Sequence, residues 1–493
     1  MVAKGAGRAV ASLASQTIEF GRLTATGAGG VAPTSTGSIT AASIDSGVNA
    51  AHWAVSSAGV FTPAAALSVG PYTLGCTFTV GGVSGVAVTI TINIVADAYS
   101  FATDAELTTI LGISTATTAG KTALARSGTY TARTISSKSW ASDFTISKHS
   151  GAPAIFQGIL LNECNHFAVD GVEFFQDVST AIALFEYYNN SNNITVKNCT
   201  IHAKYFDPTV NRPIDVPSPT NVTGIYASSG NPGKENSGNI TVTNNTLYDL
   251  RTAIQLSGTG TFTVTSNTIH TICEDALRIL GPWTAVPMPT VIIEDNTMQD
   301  FYATYTEDHP DGIQFGENQG TGDMTISVKR NAIVQTIGPV GNALQGIFGD
   351  FDHGGYLTGI IQGNLVVNYA YAGIQIEDAK NLTVDANTVV RWNHGGSGDS
   401  YQPRIFVGNE TTSGTHVVTN NIGEIFEVGG SPTLTPANRE LGNDGATLSY
   451  ASTFQGSGGG GTGSFVPTSI ANAIAIFAPR TGITAGAIPG YIS

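Results

Sequence analysis

The chain is 493 residues long, enough for two or three domains, with 12% charged residues, 59 glycines and a formal net charge of −15. Low charge with abundant Gly, Thr, Ser and Asn points to an all-β protein rich in turns and away from a helical enzyme. The acidic balance excludes nonspecific nucleic-acid binding, which needs Lys and Arg against phosphates, and no run approaches the ~18 apolar residues of a membrane-spanning helix.

Residues 1–20 carry Lys4 and Arg8 but no apolar stretch of the signal-peptide kind, so they are expected to form an arm or attachment segment. From 21 to 98 short alternating segments are punctuated by Gly, Pro and Ser. The last, Val86 to Val95, alternates apolar residues with Thr and Asn. This pattern predicts a small β-sandwich. It resembles immunoglobulin-like or cadherin-like modules, without the Trp and cysteine arrangement of antibody domains and without a cadherin calcium motif.

Residues 99–120 are expected to form a capping helix and linker. TDAELTTILGI, 103–113, has Thr103 as a plausible N-cap, and Asp104 and Glu106 sit where the helix dipole favours them. Such a helix protects the open end of a solenoid, whose terminal coil is otherwise an unpaired sheet edge.

Between 121 and 430 one unit recurs: an apolar–Thr–Val strand, a turn, and a second apolar strand, as in ITVKNCTIH, ITVTNNTLY, FTVTSNTIH, VIIEDNTMQ and LTVDANTVV. The turn positions read as Asp170, Asn198, Asn245, Asn267, Asn296, Asn331, Asn364, Asn387 and Asn421. Asn suits such a turn because it tolerates left-handed backbone angles and its amide can bond to an Asn stacked above or below. A parallel β-helix, with coils about 4.8 Å apart, satisfies the whole pattern. A long insert at 204–222, with four prolines, belongs to a loop on one face.

A second register supports the stack. TAIQL, DALRI, DGIQF, NALQG and AGIQI place Gln255, Arg278, Gln314, Gln345 and Gln375 in one column. Thr252, Asp275, Asp311, Asn342 and Ala372 form another. Residues 431–493 contain a Gly/Ser linker and a short apolar helix-like stretch, expected to cap the structure or contact another subunit. Cys76, Cys164, Cys199 and Cys273 lack metal-ligand spacing and read as reduced core residues.

This repeat grammar resembles the right-handed β-helix superfamily, which includes pectate-lyase-like enzymes, alginate epimerases and lyases, and phage tailspikes. Right-handedness is what the resemblance implies. With a small N-terminal β module and a terminal cap, the chain is similar to tailspike or receptor-binding fibre proteins. That likeness implies a homotrimer binding, and in some cases cleaving, cell-surface polysaccharide. The N-terminal module would then attach to other virion proteins, and the protein would be assembled in the host cytoplasm and act outside the cell.

Chemistry concentrates in TEDHPDGIQF, 306–315, with Glu307, Asp308, His309 and Asp311, and one coil earlier in ICEDALRI, with Glu274, Asp275 and Arg278. Asp275 and Asp311 are expected about 5 Å apart. Two carboxylates that close raise one pKa into general-acid range and suit a retaining glycosidase. Asp before a strand also caps turns, so a turn or ladder role stays open. Glu307 and His309 complete the catalytic candidates; Arg278, Gln314, Gln345, Gln375, Tyr305 and Trp283 are the substrate-binding ones. GDFDHGGY, with Asp350, Asp352 and His353, lacks the terminal Glu of a calcium loop. No P-loop, dinucleotide-binding, HExxH or GxSxG motif occurs in convincing context, so no metal and no cofactor are expected. The functions these features admit are a virion spike that recognises polysaccharide, with or without depolymerase activity, a secreted lyase, epimerase or hydrolase, and a non-catalytic structural or adhesive β-helix.

Overall fold

The computed structural model describes residues 13–23, 32–33, 35–47, 50–65, 67–149, 153–176, 183–204, 206–207, 212–213, 222–227, 237–302, 310–316, 320–337, 344–351, 355–392, 402–408, 416–428, 433–434, 437–441, 450–457, 459, 464–481, 483 and 485–486. The chain divides into two compact units.

The first unit holds the N-terminal module and the cap. Gln16–Gly21 lies parallel to Val83–Val95, which pairs antiparallel with Gly70–Val80, and that strand with Ile39–Ser46. Period-two alternation puts Ile90, Ile92 and Ile94 on the buried face. They meet the hairpin Trp53–Val55 and Phe61–Pro63, whose Trp53 ring stands edge-on to Phe20 at 5.2 Å. Among the described residues the module is thus a four-stranded sheet with a two-stranded hairpin packed against it. It begins within the segment expected to be an arm, because Ile18 and Phe20 supply core contacts.

Ala98–Phe101 pairs parallel with Thr122–Ala125, so β-helix pairing starts before the cap rather than at 121. Between these strands lies the helix Asp104–Gly112. Thr103 Oγ1 accepts from Glu106 N at 3.2 Å, and Glu106 Oε2 accepts from Ala102 N at 2.5 Å, so the two side chains satisfy donors reciprocally at the helix start.

The second unit is the solenoid, built of parallel sheets to which each coil contributes a strand. The first sheet has eleven described strands, from Arg133–Ser136 to Ile425–Val428. Its inner face stacks Ile225, Ile254, Leu277, Ile313, Ile347, Ile374 and Ile405 in register. Each is wholly buried, worth about 1.5–3 kcal/mol of apolar transfer per side chain.

The second and third sheets meet at the repeated turn. Asn245, Asn267, Asn296, Asn331, Asn364, Asn387 and Asn421 form a buried amide ladder that Asn438 continues. Each Nδ2 donates to the next Oδ1 at 2.9–3.1 Å. The left-handed angle expected of these Asn residues belongs instead to the residue before each, as at Asn244, Ser266, Asp295, Arg330 and Ala386. Asn198 occupies that preceding position with φ 55°, and Cys199 stands in the ladder, its N–H donating to Asn245 Oδ1 at 2.8 Å. Asp170 comes one place earlier still, before Gly171 at φ 70°. Ladder Asn is selected by hydrogen bonding in a buried site, and the turn geometry is met next door. All four cysteines are buried thiols.

The described part of the C-terminal segment packs along the outer side of the third sheet. Tyr450, Phe454, Ile476 and Phe477 cover Val334, Val367 and Val390. Tyr450 Oη donates to Glu424, which also accepts from Arg391 Nε at 2.7 Å. The segment therefore cloaks an apolar flank of the solenoid.

Candidate functional site

The site is built on the strands of the first sheet, which share a local grammar. A polar residue opens the strand, a Gly or Ala follows, then an inward Ile or Leu, then an outward residue. The small residue is a packing requirement. A Cβ at Gly312 would lie 2.5 Å from the Ile333 side chain and 2.8 Å from the Gly346 carbonyl oxygen. At Gly346 it would lie 2.1 Å from the carbonyl oxygen of Gly373.

Two columns result. The outward one runs Thr134, Leu160, Glu186, Tyr226, Gln255, Arg278, Gln314, Phe348, Gln375, Phe406, Glu427. The opening column holds Asp311 beside Gln345, and Ala372 beside Arg404. Register of the neighbouring residues sets Thr252 and Asp275 ahead of Asp311. Gln345 is therefore not in the outward column, where Phe348 stands instead. The shared feature of the strands is the small–Ile dyad, Gly312–Ile313 and Gly346–Ile347, and aligning on Gln shifts that coil by three residues. Asn342, expected in the opening column, lies outside the described residues, and Gln345 fills its place.

Asp275 and Asp311 are adjacent as expected, with Asp311 N–H donating to Asp275 Oδ1 at 3.1 Å. Both are enclosed, at 2% and 0% exposure. Burial raises the Asp275 carboxyl to about 7, opposed by the nearby Arg278 charge and reinforced by Glu274. Burial, then the Asp275 charge, lifts Asp311 well above the ordinary carboxylate range. Both carboxyls are thus held more protonated near neutral pH than exposed aspartates, chiefly by burial.

Around the pair, Arg278 Nη1 lies 3.8 Å from Asp275 Oδ2 and 4.0 Å from Glu274 Oε1, with its side chain 36% exposed. Glu274 is fixed by Arg251 Nε at 2.9 Å and by the Thr252 hydroxyl at 3.1 Å. Among the described residues, Arg278 Nε, Gln314 Oε1 and Gln345 Oε1 are buried atoms without a hydrogen-bond partner. Arg278 is thus the group of this cluster that reaches the surface, seated on buried carboxyls.

The other expected residues separate. Trp283 is 43% exposed, past the far end of the Leu277–Leu280 strand from Asp275. Gln375 is buried and donates to Glu377. Two further tyrosines of the solenoid, Tyr302 and Tyr187, are buried. Tyr305, Glu307, His309, Asp352, His353 and Tyr205 lie outside the described residues, as does most of the 204–222 insert. Among the described residues, no group of three or more His, Cys, Asp or Glu side chains is placed to hold a metal ion. Sequence reasoning missed Phe348, Tyr371, Arg404, Phe406 and Glu427. The small–Ile alignment would have found Phe348; the others follow from register across a bulge between Ala372 and Ile374. Near the start of the first sheet, Arg133, Thr134, Leu160 and Glu186 line a cleft of about 190 Å³.

Comparison with known proteins follows from this architecture. No curated protein sequence matches the chain. Among solved structures, the complex of XylC with xylose has a TM-score of 0.37 at 10% identity over 64% of this chain and 71% of that one. A rhamnogalacturonan lyase gives 0.33 at 11% identity over 73% and 90% of the two chains. A pectate lyase from Bacillus sp. N165 in complex with trigalacturonate gives 0.28 at 9% identity over 71% and 86%. Likeness at this level says nothing about chemistry. The family described as "Right handed beta helix region" matches residues 134–302 and 233–438, together more than half of the sequence. The chain belongs to the right-handed β-helix family.

Proposed function

We propose that the chain is a virion spike or fibre protein that recognises host cell-surface polysaccharide through the outer face of the first sheet. The observation that carries this reading is the outward column from Tyr226 to Phe406, polar or aromatic at every coil. A ladder of that kind suits a polymer that repeats its hydroxyl groups along its length. Arg278, with its side chain 36% exposed, is the donor of this column that a ligand on the face would meet. In this reading the working form is a homotrimer on the particle, assembled in the host cytoplasm, with the N-terminal module joined to other virion proteins.

A second reading, depolymerisation, is favoured by the adjacency of Asp275 and Asp311, two enclosed carboxyls on neighbouring coils. A carboxyl near 7 can protonate a leaving glycosidic oxygen at neutral pH. Because the pair is enclosed, cleavage requires the sugar to displace Arg278 from above it. Binding itself needs no such movement.

The test is to incubate the purified chain with bacterial capsule and lipopolysaccharide preparations, following binding, new reducing ends and unsaturated-sugar absorbance. Binding without products supports recognition alone, and reducing ends without unsaturation indicate hydrolysis. Loss of products in Asp275→Asn and Asp311→Asn, with binding retained, assigns cleavage to the pair. Absence of binding to every preparation, together with a monomer in solution, overturns the spike reading.

A further inference from the structure

Toward the C-terminal end of the first sheet lies a second cluster, away from the acid pair and built quite differently. Arg404 sits between two aromatic rings, its guanidinium carbon 4.9 Å from the Tyr371 centroid and 4.7 Å from that of Phe406. Its backbone N–H donates to the Tyr371 carbonyl at 2.7 Å, tying strand to ring. Nε donates to Gln375 Oε1 at 3.2 Å, and Nη1 to Glu427 Oε2 at 2.5 Å. Gln375 is held in turn by Glu377. The fork is therefore locked in plane by stacking and by two hydrogen bonds. Its side chain is still 22% exposed, beside Glu427 at 48% and Tyr371 at 44%. Of the five N–H donors of a guanidinium, two are used by these bonds; Nη2 makes no hydrogen bond among the described residues.

Such a cluster presents a ring face, a pre-oriented fork of donors and a half-exposed carboxylate within one small patch. Those are the three contacts a pyranose uses: apolar C–H groups on an aromatic ring, and two adjacent hydroxyls, one accepting from the fork and the other donating to the carboxylate. Local charge decides the class of sugar. The guanidinium is paired with Glu427 and is linked through Gln375 to a second carboxylate, Glu377, so the described groups of the patch carry more negative than positive charge and disfavour an anionic residue at that point.

We propose that Tyr371, Arg404 and Glu427 form a subsite for an uncharged pyranose bearing two adjacent hydroxyl groups. The inference rests on the polysaccharide-binding reading and names the chemistry of one position along it. Arg404 follows Asp311, Gln345 and Ala372 in the opening column. Three coil spacings separate it from Asp311, about 14 Å at ~4.8 Å each. A monosaccharide fills one site only; an oligosaccharide spans both.

The experiment uses the full chain with two series of oligosaccharides, two to eight residues long. One series is neutral, from mannan, xylan, galactan and dextran; the other is acidic, from polygalacturonate and alginate. Binding is followed by saturation-transfer NMR and calorimetry. At least one neutral series is expected to bind, more tightly as length increases, and to weaken about tenfold in Tyr371→Ala and in Arg404→Lys, which keeps the charge but loses the fork. Thermal unfolding of both variants checks that they fold, and Tyr371→Phe, which keeps the ring, is expected to retain binding. Neutral binding unchanged by both weakening variants, binding confined to the acidic series, or no binding by any neutral oligosaccharide overturns the proposal. Acidic binding that depends on Arg278 and not on Arg404 would overturn this subsite while leaving the polysaccharide reading intact.

Discussion

Two polar columns run along the same solenoid and end differently. The Asn ladder at the turn is buried and closed: each amide donates to the next amide, each Oδ1 also accepts a backbone N–H, and no ladder amide from Asn245 to Asn421 is left over among the described residues. In the outward column of the first sheet the stacking is the same, yet Arg278 Nε and Gln314 Oε1 are not paired within the described protein. A closed polar column costs little to bury and specifies register; an open one costs stability and leaves groups for something else to bind. The first column is architecture, and the second is where a ligand is to be sought.

The largest effect that tests this contrast is expected at the ladder. Asn331→Ala removes the acceptor of Asn296 Nδ2 and N–H and the donor to Ile293 O. Leaving those groups buried and unpaired is expected to cost about 3 kcal/mol or more in urea unfolding. If Gln314→Ala costs as much, the two columns are not different in kind.

Next comes the acid pair. Asp275 has a folded pKa raised to about 7 and an unfolded one near the ordinary Asp value, so the folded state binds more protons between them. Its stability contribution is present at acid pH and lost as pH rises through about 7. Thermal melts of the wild type are expected to fall from pH 4 to 8. Asp311→Asn, which needs no charge in that enclosed place, is expected to flatten the slope and to be more stable at pH 8 by on the order of 2 kcal/mol. Burial raises Glu424 as well and lowers His149, His270 and His416, which act with the opposite sign, so these groups and Asp275 set the slope that remains. A slope identical in wild type and Asp311→Asn would show the pair ionised and compensated.

A smaller loss is expected at that flank. Tyr450→Phe removes the hydrogen bond to the buried Glu424 and the acceptor of the Arg391 N–H while keeping the ring, at a cost of about 1–2 kcal/mol by denaturant titration. The smallest stability change is expected at Gln314→Ala, within about 0.5 kcal/mol, because its side chain closes no internal network. Its effect should appear instead in glycan affinity, measured on the preparation that binds the wild type.

Much of the fold was legible in the chain because a solenoid is nearly one-dimensional: each coil contacts its neighbours, so a repeat in sequence becomes a stack in space. The cap shows this locally, since Thr103 and Glu106 stand at the helix start that their spacing predicts. The same local logic placed Asp275 against Asp311. It failed at Gln345, where side-chain identity was followed in place of the small–Ile dyad. It also misplaced the left-handed turn residue, because Asn suits both that angle and the ladder, and only burial separates the two roles.

By itself the sequence determined the all-β class, the coil period, the amide ladder and the neighbouring carboxylates, all of which depend on short-range spacing. Tertiary structure alone decided that Gln16–Gly21 joins a sheet near residue 90, that the C-terminal segment lies along the solenoid flank, and that Tyr371, Arg404, Phe406 and Glu427 converge. Those contacts join segments whose separation is set by loops of irregular length. Loop length leaves no periodic trace, so which side chains meet across it is settled by packing.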